Sequence, residues 1–301
     1  MIPAETIIIA GPTGVGKTDL SLRLAKEISA EIIGADAFQI YRGLPILTAQ
    51  PGASPIRQVP HHFVGSVDPS EAYDVGRYLR EALPILEAIV ARGKCPLVVG
   101  GTGLYVKALL GGLHDLPSGN PELRKEWEGM SLPELITRLR ELDAEAPGKI
   151  DLANRRRVER ALEIILLTGK PLAASRTGST PPPPGVRTLL VTRDREDLNS
   201  RIDANVKAMF DHGVEAEVAA LTEEKTGPTA AMTLGLREIR SHLRGELSRE
   251  EAIAEISAST RRYAKRQMTW FRHQHDFPVL NLSCCRHGDQ DLSEALRLLA
   301  L

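Results

Sequence analysis

The sequence is short of the features that would mark a secreted, membrane-spanning or globally basic protein. Of its 301 residues only three are cysteine, Cys95, Cys284 and Cys285. Two are adjacent and none has a paired metal-ligand spacing, so no disulfide framework is expected and a reducing compartment fits best. Lysine and arginine number 38 against 39 aspartate and glutamate, a formal net charge of −1. That balance carries no global signal for nucleic acid and moves the question to local patches. No apolar run approaches the roughly 20 residues of a membrane-spanning helix. The chain also enters an aliphatic strand pattern without a basic leader and a long apolar run, which gives the expectation of a soluble cytoplasmic protein with no membrane partner.

What is present is a phosphate-binding pattern near the start. In IIIAGPTGVGKTDL, Ile7 to Leu20, an aliphatic run enters Gly11, and four residues separate it from Gly16, Lys17 and Thr18. This reads as strand, loop and helix start. Glycines let the backbone wrap a diphosphate, so that the amides from Gly11 through Thr13, Gly14, Val15 and Gly16 to Thr18 and the helix N-terminus face anionic oxygens. Lys17 adds a mobile positive charge, and the Thr18 hydroxyl is placed to help ligate Mg²⁺. A dinucleotide fingerprint fits badly, because reading Gly14 and Gly16 as its first glycines puts Asp19 where the third belongs.

Short aliphatic runs recur as TIIIA, EIIGA, HHFVGSV, CPLVVGG, TLLVT and PVLNL, with amphipathic segments between several of them. Buried parallel strands have this character, so the expected fold is α/β, a parallel sheet flanked by helices. Between residues 114 and 196 the pattern changes to helical spacing in LPELITRLREL and VERALEIILL, and closes on the proline run of TGSTPPPPG. The expected organisation is therefore a core formed by 1–113 and 197–301, interrupted by a helical insertion over 114–196.

Three loops follow strand runs: Gly11 to Thr18, the loop of Asp36 in GADAFQIY, and GGTGLY from Gly100 to Tyr105. In an open parallel sheet such loops line one crevice. Asp36 is then placed to accept a proton or to cap a turn, and Thr102 to offer a hydroxyl at a helix start. Two basic stretches point to the partner. In TRRYAKRQMTWFRH, helical geometry gathers Arg261, Arg262, Lys265, Arg266, Arg272 and His273 on one face, with Tyr263, Ala264, Met268, Trp270 and Phe271 opposite. In NRRRVERALE, Arg156 and Arg160 are one turn apart and Val158, Ala161, Leu162 and Ile165 form the buried side. Two basic helices suit a long anion such as RNA better than a mononucleotide. The pair His61 and His62 has no third ligand at a metal-like spacing and reads as a strand start.

GPTGVGKT, GADAFQIYRGLPILTAQP, VPHHFVGSVDPSEAYDVGRY, RGKCPLVVGGTGLYVKALLGGL, NRRRVERALEI, SRIDANVKAMFDHGVEAEV and TRRYAKRQMTWFR occur in that order along almost the whole chain. Together they resemble the successive signatures of the bacterial tRNA dimethylallyltransferases. The resemblance implies a core like that of P-loop nucleoside triphosphatases with an inserted helical tRNA-binding domain. It also implies transfer of a dimethylallyl group from dimethylallyl diphosphate to the exocyclic amine of the adenosine 3′ to the anticodon, in tRNAs reading codons that begin with U. Diphosphate is the leaving group.

On that resemblance Thr13 to Thr18 hold the diphosphate, with Lys17, Arg201 and Mg²⁺ on Thr18 neutralising charge. Asp36 takes the proton of the attacking amine, and Thr102 lies near donor and tRNA. The stretches implied to contact tRNA are Asp36, Ala37, Phe38 and Gln39; Thr102; Arg124; Arg156, Arg157, Val158, Glu159 and Arg160; Met232, Gly235 and Arg237; and Lys265, Arg266, Gln267 and Arg272. The chain departs from the family pattern at Ala37, Leu47, Gln50, Asn205 and Leu236, which implies fewer polar contacts on the acceptor side. The competing expectations are an isopentenyltransferase acting on free adenine nucleotide, a small-molecule phosphotransferase and a tRNA-binding protein without catalysis. A monomer is the default state.

Overall fold

The computed structural model describes residues 2–111, 117, 119–172, 182–285 and 289–301. The chain forms two compact units. One combines Met1–Leu110 with Pro181–Leu301, and the other is Gly111–Thr180.

The first unit is built on strands β1 (Ile7–Ala10), β2 (Ala30–Gly34), β3 (His61–His62), β4 (Cys95–Gly100), β5 (Arg187–Thr192) and β6 (Val279–Asn281). They lie in the order β3-β2-β4-β1-β5-β6 and every described pairing is parallel. All six aliphatic runs of the sequence therefore supply a strand. HHFVGSV contributes only its first two residues to the sheet, with Val67 making a lone bridge to Tyr41. The central strand β1 is wholly buried, and Ile7 pairs with Leu97 on one side and Arg187 on the other. A strand covered on both faces must be apolar throughout, which is why its sequence does not alternate.

Helices α1 (Lys17–Glu27), α2 (Ala53–Gln58), α3 (Val75–Ala91) and α4 (Gly103–Gly111) follow the early strands. The second unit contains α5 (Pro121–Trp127), α6 (Leu132–Leu142) and α7 (Arg155–Thr168) around its own core, centred on Trp127, Leu135, Leu139, Val158, Leu162 and Ile165. Ser131 and Glu134 close a capping box at the start of α6, and Asn154 caps α7. The helical unit is shorter than the 114–196 insertion expected from the sequence. The strand β5 pairs with β1 and β6, so the residues after the proline run belong to the sheet. The joins themselves, 112–116 and 173–181, which include the start of the proline spacer, lie outside the described residues.

The chain returns to the first unit through α8 (Arg195–Asp211), α9 (Val214–Ala220), α10 (Leu236–Leu243), α11 (Arg249–Gln274) and α12 (Gln290–Leu299). At 26 residues α11 is the longest, about 39 Å at the rise of an α-helix. It starts on a capping box of Ser248 and Glu251, buries Ala264, Gln267 and Phe271, and bonds α8 through Arg261 and Asp203. Among the described residues no helix is long and apolar enough to cross a membrane.

Candidate active site

The parallel order puts the loops after β1, β2, β4 and β5 at the same edge of the sheet, the carboxyl ends of the strands. Gly14 and Gly16 adopt φ values of 77° and 105°, a left-handed conformation that L side chains rarely take. They turn the backbone into the helix start at Lys17. Val15 packs its side chain into the core, so the loop presents backbone there. Gly11 faces the Val191 carbonyl so closely that a β-carbon would sit 2.5 Å from it.

Three cations converge on this loop. The Lys17 ammonium donates to the carbonyls of Gly11 and Pro12 at 2.9 and 2.7 Å. Burial lowers its pKa to about 8, against an opposing attraction from the Asp36 carboxylate. Arg201 donates through Nε to the Gly14 carbonyl at 3.1 Å. Arg193, at the end of β5, donates to the Val15 carbonyl at 2.8 Å and pairs with Asp197 at 2.7 Å. A β-carbon on Gly16 would meet Arg193 at 3.6 Å and Arg201 at 3.9 Å, so the two guanidinium groups flank the mouth of the loop. Arg193 was not singled out in the sequence, although its place after TLLVT is the signal that marked the other loops.

Asp36 follows β2 and caps a turn, one of the two roles its position allows. Its Oδ1 accepts the amides of Phe38 and Gln39 at 2.9 and 3.3 Å, a turn cap, and among the described residues Oδ2 has no hydrogen-bond partner. Ala37 donates its amide to the Thr102 hydroxyl at 2.9 Å, which ties the Asp36 loop to the start of α4. Tyr263 of α11 faces Thr102 and Gln267, and burial together with the Asp36 charge raises its phenol above the ordinary range, so it stays protonated. The rings of Phe38 and Tyr263 are 6.5 Å apart, and the Arg266 guanidinium lies 5.6 Å from the Tyr263 ring centre. Between α8 and α11 opens a cleft of about 680 Å³ whose cationic lining is Arg193, Arg195, Arg261, Arg262, Lys265 and Arg272.

The structure separates the residues implied to contact tRNA into two groups. Met232, Arg237, Lys265, Arg266 and Arg272 are exposed in the first unit, as are Arg156 and Arg157 in the second. Several others are structural. Val158 is fully buried in the helical core, which corrects its assignment as an RNA contact: its apolar side chain fills the α7 seam. Gly235 is a buried turn with φ 86° before α10. Gln267 is 6% exposed and bonded to two loops. Arg124 and Arg160 both bind Glu163, which is fully buried, at 2.7 and 3.1 Å, and Arg160 also donates to the Pro117 carbonyl. Glu159 pairs with Arg155 at 2.6 Å.

Three of the five departures from the family pattern are internal rather than acceptor-facing. Leu47 and Leu236 are 5% and 1% exposed and belong to the core. Gln50 donates to the carbonyls of Gln39 and Tyr41 at 2.9 and 2.8 Å. Glu217 of α9 accepts the amides of Ile46 and Leu47, both at 2.8 Å, and Gln39 donates to Thr48 and Ala49. The loop from Asp36 to Gln50 is thus bound at several points, one of them 170 residues away in sequence.

Among the described residues no group of three His, Cys, Asp or Glu could cage a metal. The exposed Thr18 hydroxyl at the start of α1, beside a loop shaped for phosphate, instead fits a Mg²⁺ held mainly by substrate oxygens and water. His62 bonds Glu31 at 2.9 Å and lies in the sheet, in agreement with a strand start.

A family model described as IPP transferase matches residues 39–274, and one described as isopentenyl transferase matches residues 4–64. The chain is 41% identical over 276 residues to the tRNA dimethylallyltransferase 1 of Citrifermentans bemidjiense, covering 90% of each. It is 39% identical over 302 residues to the tRNA dimethylallyltransferase of Maricaulis maris, covering 98% of this chain and 96% of that one. Among solved structures it is similar to the full-length tRNA isopentenylpyrophosphate transferase of Bacillus halodurans, with a TM-score of 0.73 at 33% identity over 99% and 96% of the two chains. It is also similar to a eukaryotic dimethylallyltransferase acting on tRNA, with a TM-score of 0.83 at 29% identity over 97% of this chain and 77% of that one.

Proposed function

The chain belongs to the IPP transferase family of tRNA dimethylallyltransferases, and on that premise we propose how its own residues carry the transfer. The donor is dimethylallyl diphosphate. The acceptor is the exocyclic amine of the adenosine 3′ to the anticodon, in tRNAs that read codons beginning with U. The observation that carries this is the joining of a phosphate loop to a carboxylate loop: Gln267 bonds the Thr13 amide and the Gly101 carbonyl, and the neighbouring Thr102 accepts the Ala37 amide beside Asp36, so donor and proton acceptor belong to one site.

In this reading the amides of Gly14 to Thr18 hold the diphosphate, and Lys17, Arg201 and Arg193 neutralise the charge that grows as the allylic C–O bond breaks. Thr18 would help hold a Mg²⁺ ion, which would supply further charge neutralisation when bound. The adenosine amine forms the new C–N bond and gives up one proton to Asp36 Oδ2, while diphosphate departs. The adenine leaves its stack to reach the site, at a cost of a few kcal/mol, and Phe38 and Tyr263 offer rings beside Asp36 for it to meet. Exposed Lys265, Arg266 and Arg272, and Arg156 and Arg157 of the helical unit, supply the phosphate contacts of a tRNA partner. A monomer acting on cytoplasmic tRNA is the form of the enzyme taken in this reading.

The test is incubation with dimethylallyl diphosphate, Mg²⁺ and unmodified tRNA, then nucleoside mass spectrometry, with AMP in parallel. A gain of one dimethylallyl group on the adenosine beside the anticodon is expected. Prenylation of AMP with none on tRNA would replace this reading with a nucleotide isopentenyltransferase.

A further inference from the structure

Gln267 occupies a position that RNA contact does not explain. It sits on the buried side of α11, 6% exposed, between two loops of the site. Its Oε1 accepts the Thr13 amide at 2.9 Å, and its Nε2 donates to the Gly101 carbonyl at 2.9 Å. The first bond holds the phosphate loop after β1. The second holds the turn after β4, whose next residue, Thr102, accepts the Ala37 amide at 2.9 Å. A continuous path therefore runs from Thr13 through Gln267, Gly101 and Thr102 to Ala37, one residue from Asp36.

The approach is close on both sides. A β-carbon on Gly101 would lie 2.4 Å from Gln267 Nε2 and 3.1 Å from the Gly11 carbonyl. The glycine thus makes room for the amide and for the near contact of the two loops. Only a group with an acceptor at one end and a donor at the other satisfies both backbone partners. A glutamine does so in either season of pH, whereas an ionised carboxylate has no proton for the Gly101 carbonyl.

We propose that Gln267 is a positioning residue: its amide fixes the donor-binding loop and the Asp36 loop relative to each other, so that the allylic carbon and the proton acceptor meet the amine in register. This rests on the reading of the site as a prenyl transfer centre. It assigns Gln267 to the chemical step and takes it out of the tRNA interface. Misplacement of reacting groups by about 1 Å costs on the order of a hundredfold in rate.

The experiment compares wild type, Gln267→Met, Gln267→Glu and Gly101→Ala, with single-turnover prenylation of tRNA at saturating dimethylallyl diphosphate and Mg²⁺ from pH 5.5 to 8, and tRNA affinity measured separately. At pH 8 all three variants are expected to lose roughly thirtyfold to a hundredfold in single-turnover rate, as for a misplaced reacting pair, with tRNA affinity changed by less than about twofold. Gln267→Glu alone recovers relative to wild type on acidification, because its neutral carboxyl again presents one acceptor and one donor. A fold defect does not have that signature, and Gly101→Ala tests the same contact from the other side without altering Gln267. Wild-type rates in Gln267→Met, a loss confined to tRNA affinity, or a Gln267→Glu to wild-type ratio flat with pH would each overturn the proposal. An inactive wild type would instead count against the prenyl transfer reading itself.

Discussion

In the phosphate loop, Gly11 to Thr18, the polypeptide backbone makes the site, and in the loop from Asp36 to Gln50 side chains hold the backbone in place. The first relies on left-handed glycines at positions 14 and 16 and on cations arriving from the residue after β5 and from α8. The second relies on Gln39, Gln50 and Glu217 bonding main-chain groups of the loop. The difference teaches where variation is tolerated. A backbone cradle fixes residue types at fixed spacing, while a side-chain-braced loop can exchange one brace for another. This accounts for an unaltered GPTGVGKT beside Leu47, Gln50 and Leu236, which trade other groups for burial or internal hydrogen bonds.

Lys17→Met should break the donor side most severely. Diphosphate affinity, measured by calorimetry, is expected to fall by about two orders of magnitude with the loss of a charge-assisted contact, while tRNA affinity stays near wild type. The substitution is also expected to raise thermal stability, since it removes a buried ammonium whose charged form is penalised. Equal losses for both ligands would join the two loops into one unit.

Glu217→Ala should break the acceptor side. It leaves two amides without their acceptor, at about 1 to 3 kcal/mol for each buried group. The expected result is a lower unfolding midpoint and roughly tenfold weaker tRNA use, as the Asp36 loop loosens, with diphosphate binding unchanged. Unchanged kinetics for tRNA would show that α9 supports the fold alone.

The Lys17 pKa of about 8 sharpens the comparison through pH. Above that value free Lys17 is neutral and must take up a proton when diphosphate binds, so donor affinity is expected to decline with rising pH, approaching tenfold per unit. Stability moves the other way. The unfolded chain binds more protons between pH 8 and the ordinary lysine value, so wild type gains stability across that window. Lys17→Met should flatten both trends.

The smallest effects concern the helical unit. Arg156→Ala with Arg157→Ala should reduce the salt dependence of tRNA binding by up to about two phosphate contacts, with little change in stability. Arg160→Ala should do the reverse. It removes one of the two arginines on Glu163, whose carboxyl is held below the ordinary range by those bonds in spite of burial, and should cost about 2 kcal/mol.

Much of this was legible in the sequence, for reasons of physics. Buried parallel strands must be continuously apolar, so all six aliphatic runs supplied a strand, and a phosphate loop must have its glycines and lysine at set spacing. Position after a strand marked Asp36 and Thr102 correctly as neighbours. What escaped was set by contacts between distant residues. Glu217 is one charged residue on a short helix until Ile46 and Leu47 fold against it. Gln267 looks like a polar residue on a basic helix until Thr13 and Gly101 enclose it. Arg160 matches Arg156 in spacing, yet its charge is matched by Glu163 while Arg156 faces solvent. The 114–196 bound runs past the proline spacer and over TLLVT, although that run has the apolar character of a sheet strand and pairs with β1 and β6.

The most direct test of the account is Asp36→Asn, assayed by single-turnover prenylation of tRNA with diphosphate affinity measured on the same protein. Asparagine retains an oxygen to cap Phe38 and Gln39 but cannot accept the amine proton. Diphosphate affinity is expected to remain within about twofold while the chemical step slows by at least a hundredfold, the scale of general-base catalysis. A wild-type rate in that variant would contradict the assignment of Asp36 as proton acceptor.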